Sequence, residues 1–368
     1  MIRPVVIAAG GTGGHFFPAE ALAAELGRRG RRIALMTDAR SAGQTSTVFE
    51  GRERFVLRGA GIAGRGLVRG ARAVLSLAAG TATAQHVLSH LDPAVIVGFG
   101  GYPAIAPILG SRLQLRRRPA VLLHEQNAVL GRANRLLARQ ADMLALSFAD
   151  TAKVPRSCKT ELTGNPVRPA IAALLLQSYT PPMETIRLLV LGGSLGARVL
   201  SDVVPAGLAA MPERLRARLA VTQQCRAEDI DRVRQAYKAV GIEAQLAPFF
   251  TDIGPHLSLA HLVICRAGAS TVAELGVAGR PAIFVPLPGA IDDHQTANAA
   301  AFVAAGGGWL MAQPHFSPAA LTARLSDLLI DTDVLAEAAR AASRQGLADG
   351  AARLADLVEA HMPQDSMV

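Results

Sequence analysis

Hydrophobic and polar positions along the chain alternate between two periods. Short apolar runs at Val5–Ala9, Ile33–Thr37, Ala94–Gly98 and Ala120–His124, then at Leu188–Leu191, Leu262–Cys265 and Ala282–Pro286, have the length and composition of buried parallel strands. Between them apolar residues recur at helical spacing, as in Ala19, Leu22, Ala23 and Leu26 after the first run. This alternation predicts doubly wound α/β sheets. The strand, glycine turn and helix start of "VVIAAGGTGGHFFPAEALAAEL" (Val5–Leu26) return in "LLVLGGSLGARVL" (Leu188–Leu200), which predicts two such domains. The two prolines of "TGNPVRP" (Thr163–Pro169) exclude regular structure and mark a crossing between them. The tail from Leu335 to Met362 reads as Ala-rich helix. The expected organisation is a Rossmann-like domain over 1–164, a second over 165–345, and a C-terminal segment, 346–368, returning to the first domain. Ligands of such sheets bind at the carboxyl ends of the strands, so the glycine turns are expected to face each other across a cleft.

Composition sharpens this picture. Half of the 368 residues are apolar but only 4% are aromatic, which suits close helix–sheet packing better than an all-β shell. Three widely spaced cysteines, Cys158, Cys225 and Cys265, indicate neither a disulfide framework nor a zinc site, and a reducing compartment is expected. The first strand begins within four residues of Met1, so no targeting segment is expected, and no apolar run is long enough to span a bilayer. Residues 1–160 hold 22 Lys or Arg against 9 Asp or Glu, a surplus of 13, which leaves −4 for the rest. Two readings of that asymmetry stay open: arginine on solvated faces, or a surface for an anionic partner.

Three stretches carry candidate chemistry. The Gly10–Gly14 turn aims backbone N–H groups and a helix dipole at whatever sits above it, a site for phosphate. It is not the dinucleotide fingerprint, because Phe16 stands three residues after Gly13. "HEQNAVLGRANRLLAR" (His124–Arg139) ends an apolar strand with four consecutive polar residues. "CRAGASTVAELGVAGRPAIFVPLPGAIDDHQTANA" (Cys265–Ala299) opens a helix with Gly268, Ala269, Ser270 and Thr271, small enough to admit a diphosphate to the backbone. Glu274, one turn further on, suits a pair of ribose hydroxyls, or a surface carboxylate near the helix start.

Taken together, "GGTGGH", "GFGGYPA", "LHEQNAVLGRAN", "TGNPVR", "LGGSLGAR" and the Cys265–Ala299 stretch resemble, in order and over roughly residues 2–340, the MurG family of glycosyltransferases. The resemblance implies a GT-B fold and an inverting, metal-independent transfer of N-acetylglucosamine (GlcNAc) from UDP-GlcNAc. The acceptor is the C4 hydroxyl of N-acetylmuramic acid (MurNAc) in lipid I, undecaprenyl-pyrophosphoryl-MurNAc-pentapeptide. The product is lipid II, for peptidoglycan synthesis. It implies no cofactor, no nucleic-acid partner, a peripheral position on the cytoplasmic face of the inner membrane, contact with anionic lipid, and association with other cell-wall synthesis proteins.

Carried residue by residue, the resemblance implies that the second domain holds the donor. Thr271, Glu274 and the Ala269, Ser270, Val272 and Ala273 backbone take ribose and diphosphate, Phe250 the uracil, Gln295 the sugar hydroxyls and Ser194 the diphosphate, and Arg168 also reaches the donor. In the first, acceptor-side domain, Thr12, Gly13, Gly14 and Asn127 complete the sugar pocket, and the glycine turns, Gly98–Tyr102 included, take the acceptor diphosphate. Two positions depart from the family pattern: Leu195 stands where a glutamine is usual, which removes one amide contact, and His294 replaces the first of two adjacent glutamines. An inverting transfer needs a base, and His15, at the glycine turn, is the expected one, with Glu125 in reserve; capping the helix or binding phosphate is the other reading of His15. Arg266 is expected to meet charge on the departing UDP, or to pair with a carboxylate. A UDP-GlcNAc 2-epimerase on the same scaffold is the competing class, and a nucleic-acid-binding protein, for which no recognition helix or aromatic platform is evident, is the third. "GIAGRGLVRGARAVLSLAAG" (Gly61–Gly80) predicts an amphipathic helix. Its Leu67, Val68, Val74, Leu75 and Leu77 would enter a bilayer interface, while Arg65, Arg69 and Arg72, with Arg112 and Arg116–Arg118 alongside, would meet head groups.

Overall fold

The computed structural model describes residues 3–11, 13–39, 46–57, 67–115, 117–193 and 196–363, with 67–72 described by their backbone alone. The chain divides into two compact units, Met1–Arg168 with Asp349–Val368, and Pro169–Ala348. The first unit runs through Arg168, whose guanidinium lies 5.1 Å over the ring of Phe17.

The first unit contains β1 (Val5–Ala8), β2 (Ile33–Asp38), β3 (Glu53–Leu57), β4 (Val95–Gly98), β5 (Ala120–Glu125), β6 (Met143–Leu146) and β7 (Thr160–Leu162). They form one parallel sheet in the order β3-β2-β1-β4-β5-β6-β7, with Val5 opposite Ile33 on one side and Val95 on the other. Successive residues of a strand point to opposite faces. Val5, Ile7 and Ala9 accordingly pack with Leu22 and Leu26 of α1 (Gly13–Arg28) and with Leu354 and Val358 of the C-terminal helix Gly350–Ala360. Val6 and Ala8 pack with Leu88 of α2 (Leu67–Leu91) and with Ile108. Each fully buried Val, Leu or Ile side chain among them contributes about 1.5–3 kcal/mol.

The second unit contains β8 (Ile186–Leu191), β9 (Leu219–Gln224), β10 (Glu243–Ala247), β11 (Leu262–Cys265), β12 (Ala282–Phe284) and β13 (Gly308–Leu310). Again all pairings are parallel, in the order β10-β9-β8-β11-β12-β13, with Leu262 opposite Leu188. In both sheets the chain order reverses at the centre, between β1 and β4 and between β8 and β11. Ligand crevices open outside the carboxyl ends at such points.

The tail is not one helix. Thr332–Ser343 ends in the second unit, and Gly350–Ala360 starts again on the first. At the break, Gly346 passes so close to the backbone that a Cβ there would lie 2.5 Å from the Gly276 carbonyl oxygen. The C-terminal helix is then held by charge as well as by Leu354 and Val358. Arg29 donates to Asp356 and Glu359 at 2.6 and 2.7 Å, and Arg31 to Glu359 at 2.6 Å.

Candidate active site

In the first unit three loops converge on His15. It lies in the first turn of α1, half-buried, with its Nδ1 3.0 Å from Oε1 of Gln126. Gln126, just past β5, points its Nε2 at Nδ1 of His124 (3.0 Å) and at the His124 carbonyl (3.2 Å). The Nε2 of His124 in turn lies 3.0 Å from the Gly164 carbonyl oxygen. Complete burial pushes the His124 imidazole down to about 4, so it stays neutral near pH 7. From the β4 side come Gly100 and Gly101 with φ of +77° and +66°, and a Cβ on Gly101 would sit 3.5 Å from Cδ2 of His15. Pro18 has no N–H, so the carbonyl of exposed Gly14 lacks its helical donor, while Gly13 is buried.

Glu125 is not a reserve base. It is 1% exposed, and four N–H groups engage its carboxylate. Oε1 accepts from the backbone and side-chain nitrogens of Asn127, both at 3.0 Å, and Oε2 from Gly131 N at 2.8 Å and Asn134 Nδ2 at 2.9 Å. Its work is to set the loop that carries Asn127. Arg168, expected at the donor, stacks on Phe17 within the first unit.

In the second unit the helix Ala269–Ala278 follows β11, and its N-cap residue, a glycine, has no side chain with which to cap it. The N-cap, Gly268, has ordinary φ of −65°, and an added Cβ would meet only Thr271 Oγ1, at 3.9 Å. Among the described residues an added Cβ finds room here, and its absence leaves the backbone of the helix start open to close approach. Thr271, Ala273 and Glu274 are half-buried on this helix, Ser270 also, and Ala269 and Val272 are buried. Asn298, on the helix His294–Ala304, donates to the Ala267 carbonyl at 3.1 Å and ties the two loops together. Gln295 accepts from Leu287 N at 2.9 Å, and Nδ1 of His294 donates to the Ile291 carbonyl at 2.8 Å. Phe250 packs its ring 4.7 Å from that of His256.

Arg266 is held by acceptors of its own unit: Nη1 donates to the Val285 and Pro286 carbonyls at 2.9 and 3.0 Å, and Nη2 to Gln313 at 2.7 Å. It clamps the end of β12. Arg112 is likewise engaged, with the Gln140 carbonyl and, at 3.6 Å, with Asp142. Thr12, Ser194, Leu195, Arg65 and Arg116 lie outside the described residues, as do the side chains of Leu67, Val68, Arg69 and Arg72. On α2, Ala73, Ala84 and Leu88 face the core while Val74 and Leu75 are 68% and 69% exposed. Among the described residues no helix is long and apolar enough to cross a membrane.

Two family models match the chain: the glycosyltransferase family 28 N-terminal domain over residues 5–146, and the family 28 C-terminal domain over 187–354. A relative from Granulibacter bethesdensis is 67% identical over 97% of this chain and 93% of its own length. It is named UDP-N-acetylglucosamine–N-acetylmuramyl-(pentapeptide) pyrophosphoryl-undecaprenol N-acetylglucosamine transferase. The crystal structure of Acinetobacter baumannii MurG superposes with a TM-score of 0.78 at 30% identity, covering 98% of this chain and all of that one. The chain belongs to the MurG family. Its fold is GT-B, and it is a glycosyltransferase. A UDP-GlcNAc 2-epimerase from Neisseria meningitidis also superposes, with a TM-score of 0.68 over 97% of this chain and all of that one, but at 12% identity. That likeness is one of fold alone.

Several residues that build this MurG-family site carry no role in the sequence reading. Gln224, ending β9, accepts from Gly192 N at 3.1 Å and donates to the carbonyls of Gly193 and Pro248 at 3.0 and 3.1 Å, fixing the glycine turn after β8. Asn134 donates to Glu125 and to the His124 carbonyl. The signal that could have found Gln224 is the one that singled out His124–Asn127, polar side chains in a row where a strand runs out: "TQQC".

Proposed function

We propose that the protein transfers GlcNAc from UDP-GlcNAc to the C4 hydroxyl of MurNAc in lipid I, with inversion at the anomeric carbon and without a metal, to form lipid II. The observation that carries this reading is 67% identity, over 97% of the chain, to a relative named for that transfer. His15 is the base. As the C4 oxygen bonds to the anomeric carbon, its proton passes to the imidazole and the C–O bond to UDP breaks, its electron pair leaving on the diphosphate. The uncapped start of the helix Ala269–Ala278 meets that charge without reorganising.

Glu274 and Thr271 hold the ribose and diphosphate beside the Ala269, Ser270, Val272 and Ala273 backbone. Phe250 lies against uracil, Gln295 on the sugar hydroxyls, and Ser194 on the diphosphate, with Arg168 as a further donor contact. Thr12, Gly13, Gly14 and Asn127 complete the sugar pocket, and the Gly100–Gly101 turn takes the acceptor diphosphate. The purified protein with UDP-GlcNAc and a lipid I analogue is expected to release UDP only when the acceptor is present, and equally in EDTA. Epimerisation of the donor, or acceptor-independent release, would overturn the reading.

The protein works peripherally on anionic lipid at the cytoplasmic face of the inner membrane, in association with other cell-wall synthesis proteins; the exposed apolar pair Val74 and Leu75 supports contact with a membrane surface. Val74→Glu/Leu75→Glu is expected to weaken binding to phosphatidylglycerol vesicles and to spare turnover of a water-soluble acceptor. Undiminished vesicle binding would count against it.

A further inference from the structure

We propose that Gln126 and His124 are positioning residues that lock His15 in the Nδ1–H tautomer, so that Nε2 is the nitrogen that accepts the proton. The inference rests on the reading of His15 as the base and adds what makes it one.

Chemistry fixes the direction of each hydrogen bond in the chain that ends on His15. The Gly164 carbonyl can only accept, so Nε2 of His124, 3.0 Å away, carries a hydrogen. In the neutral ring that leaves a lone pair on Nδ1, which accepts from Nε2 of Gln126 at 3.0 Å. The second hydrogen on the same amide nitrogen goes to the His124 carbonyl, at 3.2 Å, again an obligate acceptor. Two independent acceptors therefore orient the Gln126 amide and turn its Oε1 toward His15. A carbonyl oxygen cannot donate, so the nitrogen facing it at 3.0 Å, Nδ1 of His15, bears the proton. A neutral imidazole protonated at Nδ1 has its lone pair on Nε2, the nitrogen on the Gly101 side, where a Cβ on that glycine would come within 3.6 Å.

In water imidazole favours the opposite tautomer, with hydrogen on Nε2, which cannot take a proton there. The relay reverses that preference. His124 and Gln126 are 0% and 1% exposed, so no water competes for these bonds, and an unmade one would leave a buried polar group unsatisfied. When Nε2 takes the hydroxyl proton, the charged ring keeps its Nδ1–H on the Gln126 oxygen, and nothing else in the relay has to move. The role is that of a group that orients a catalytic histidine through its second nitrogen, filled here by an amide that is itself oriented by a neutral histidine.

The test reads the tautomer directly. Histidine labelled with 15N, observed at a pH where the ring is neutral and assigned by loss of the signal in His15→Ala, is expected to show His15 protonated at Nδ1 and bare at Nε2. Gln126→Leu removes the acceptor and is expected to shift His15 toward the Nε2–H form. It should lower kcat about 10–100-fold while leaving the KM for UDP-GlcNAc unchanged. Gln126→Glu keeps an acceptor oxygen beside His15 but sets a carboxylate against the His124 lone pair and carbonyl, so it should hold the His15 tautomer while recovering turnover only in part. A wild-type His15 protonated at Nε2, or a Gln126→Leu enzyme with normal kcat, overturns the proposal. Should Gln126→Leu fail to fold, the wild-type spectrum decides alone. Undiminished turnover in His15→Ala would remove the base reading, whereas the spectrum reports the relay whichever way that assay falls.

Discussion

At the carboxyl end of β5, four consecutive polar side chains are buried or half-buried and hold one another: His124 with Gln126, and Glu125 with Asn127. Beyond the carboxyl end of β11 the stretch is Gly268, Ala269, Ser270 and Thr271, which brings little side chain to the helix start. β11 flanks the point where its sheet reverses order, and β5 stands one strand beyond the reversal of its own sheet, next to β4, so both lie at the end of the sheet where ligand crevices open. On the proposed function, the contents differ because the tasks differ. Handling a proton needs one atom held in one orientation, which takes a network of directional bonds. Holding a diphosphate needs several N–H groups brought close, which small residues permit. Preorganisation is built from side chains in the first unit and from bare backbone in the second.

The largest effect should come from breaking the proton-handling side. His15→Ala is expected to lower kcat by about two to four orders of magnitude, the usual worth of a general base, with the KM for UDP-GlcNAc nearly unchanged in steady-state kinetics. Turnover within about threefold of the wild type would place the base elsewhere.

On the other side, Glu274→Ala should raise the KM for UDP-GlcNAc by about one to two orders of magnitude, since hydrogen bonds to a charged group are worth about 1.5–3 kcal/mol. Glu274→Gln should be milder. An unchanged donor KM in the alanine variant would remove Glu274 from the site.

Glycine substitutions sharpen the contrast. Gly268→Ala has ordinary φ and room for its methyl, so the melting temperature should hold while UDP affinity, measured by calorimetry, falls roughly fivefold. Gly101→Ala, at φ +66°, should lower the melting temperature. If both variants lose stability alike, Gly268 is a structural glycine and the second unit's crevice is not kept open for a ligand.

The smallest effect concerns one histidine in each unit, His124 buried and His261 half-buried. Burial pushes both His124 and His261 down to about 4 from an ordinary 6.5. Between those values the unfolded chain binds more protons than the folded one, so their contribution to stability is fully present above about 6.5 and is lost as pH falls toward 4. Denaturant midpoints should fall over that window, and His261→Asn should flatten the fall. His261 accepts from Arg187 N at 2.9 Å and belongs to no relay, so this variant should leave kcat unchanged. A loss of kcat in that variant would erase the distinction between the two histidines.

The chain by itself determined the alternation of strand and helix, the doubling of the sheet and the stretches at the strand ends. Those are local matters: a buried strand must be apolar, and a turn that admits backbone to a ligand must be small. Edge strands escaped notice for the same reason. β7 is exposed at all three positions and β10 is polar at alternate ones, so neither needs an apolar run. Only the tertiary structure decided what the polar residues do. His15 and Gln126 stand 111 positions apart, and their bond exists because β1 and β5 both flank β4. The motif that marked Glu125 and Arg266 as reactive groups could not show that four donors and three acceptors already engage them. A buried charge or amide loses stability for each bond it leaves unmade. Its partners come from whichever strands become neighbours, and that is a property of the packed sheet and not of the residue's place in the chain.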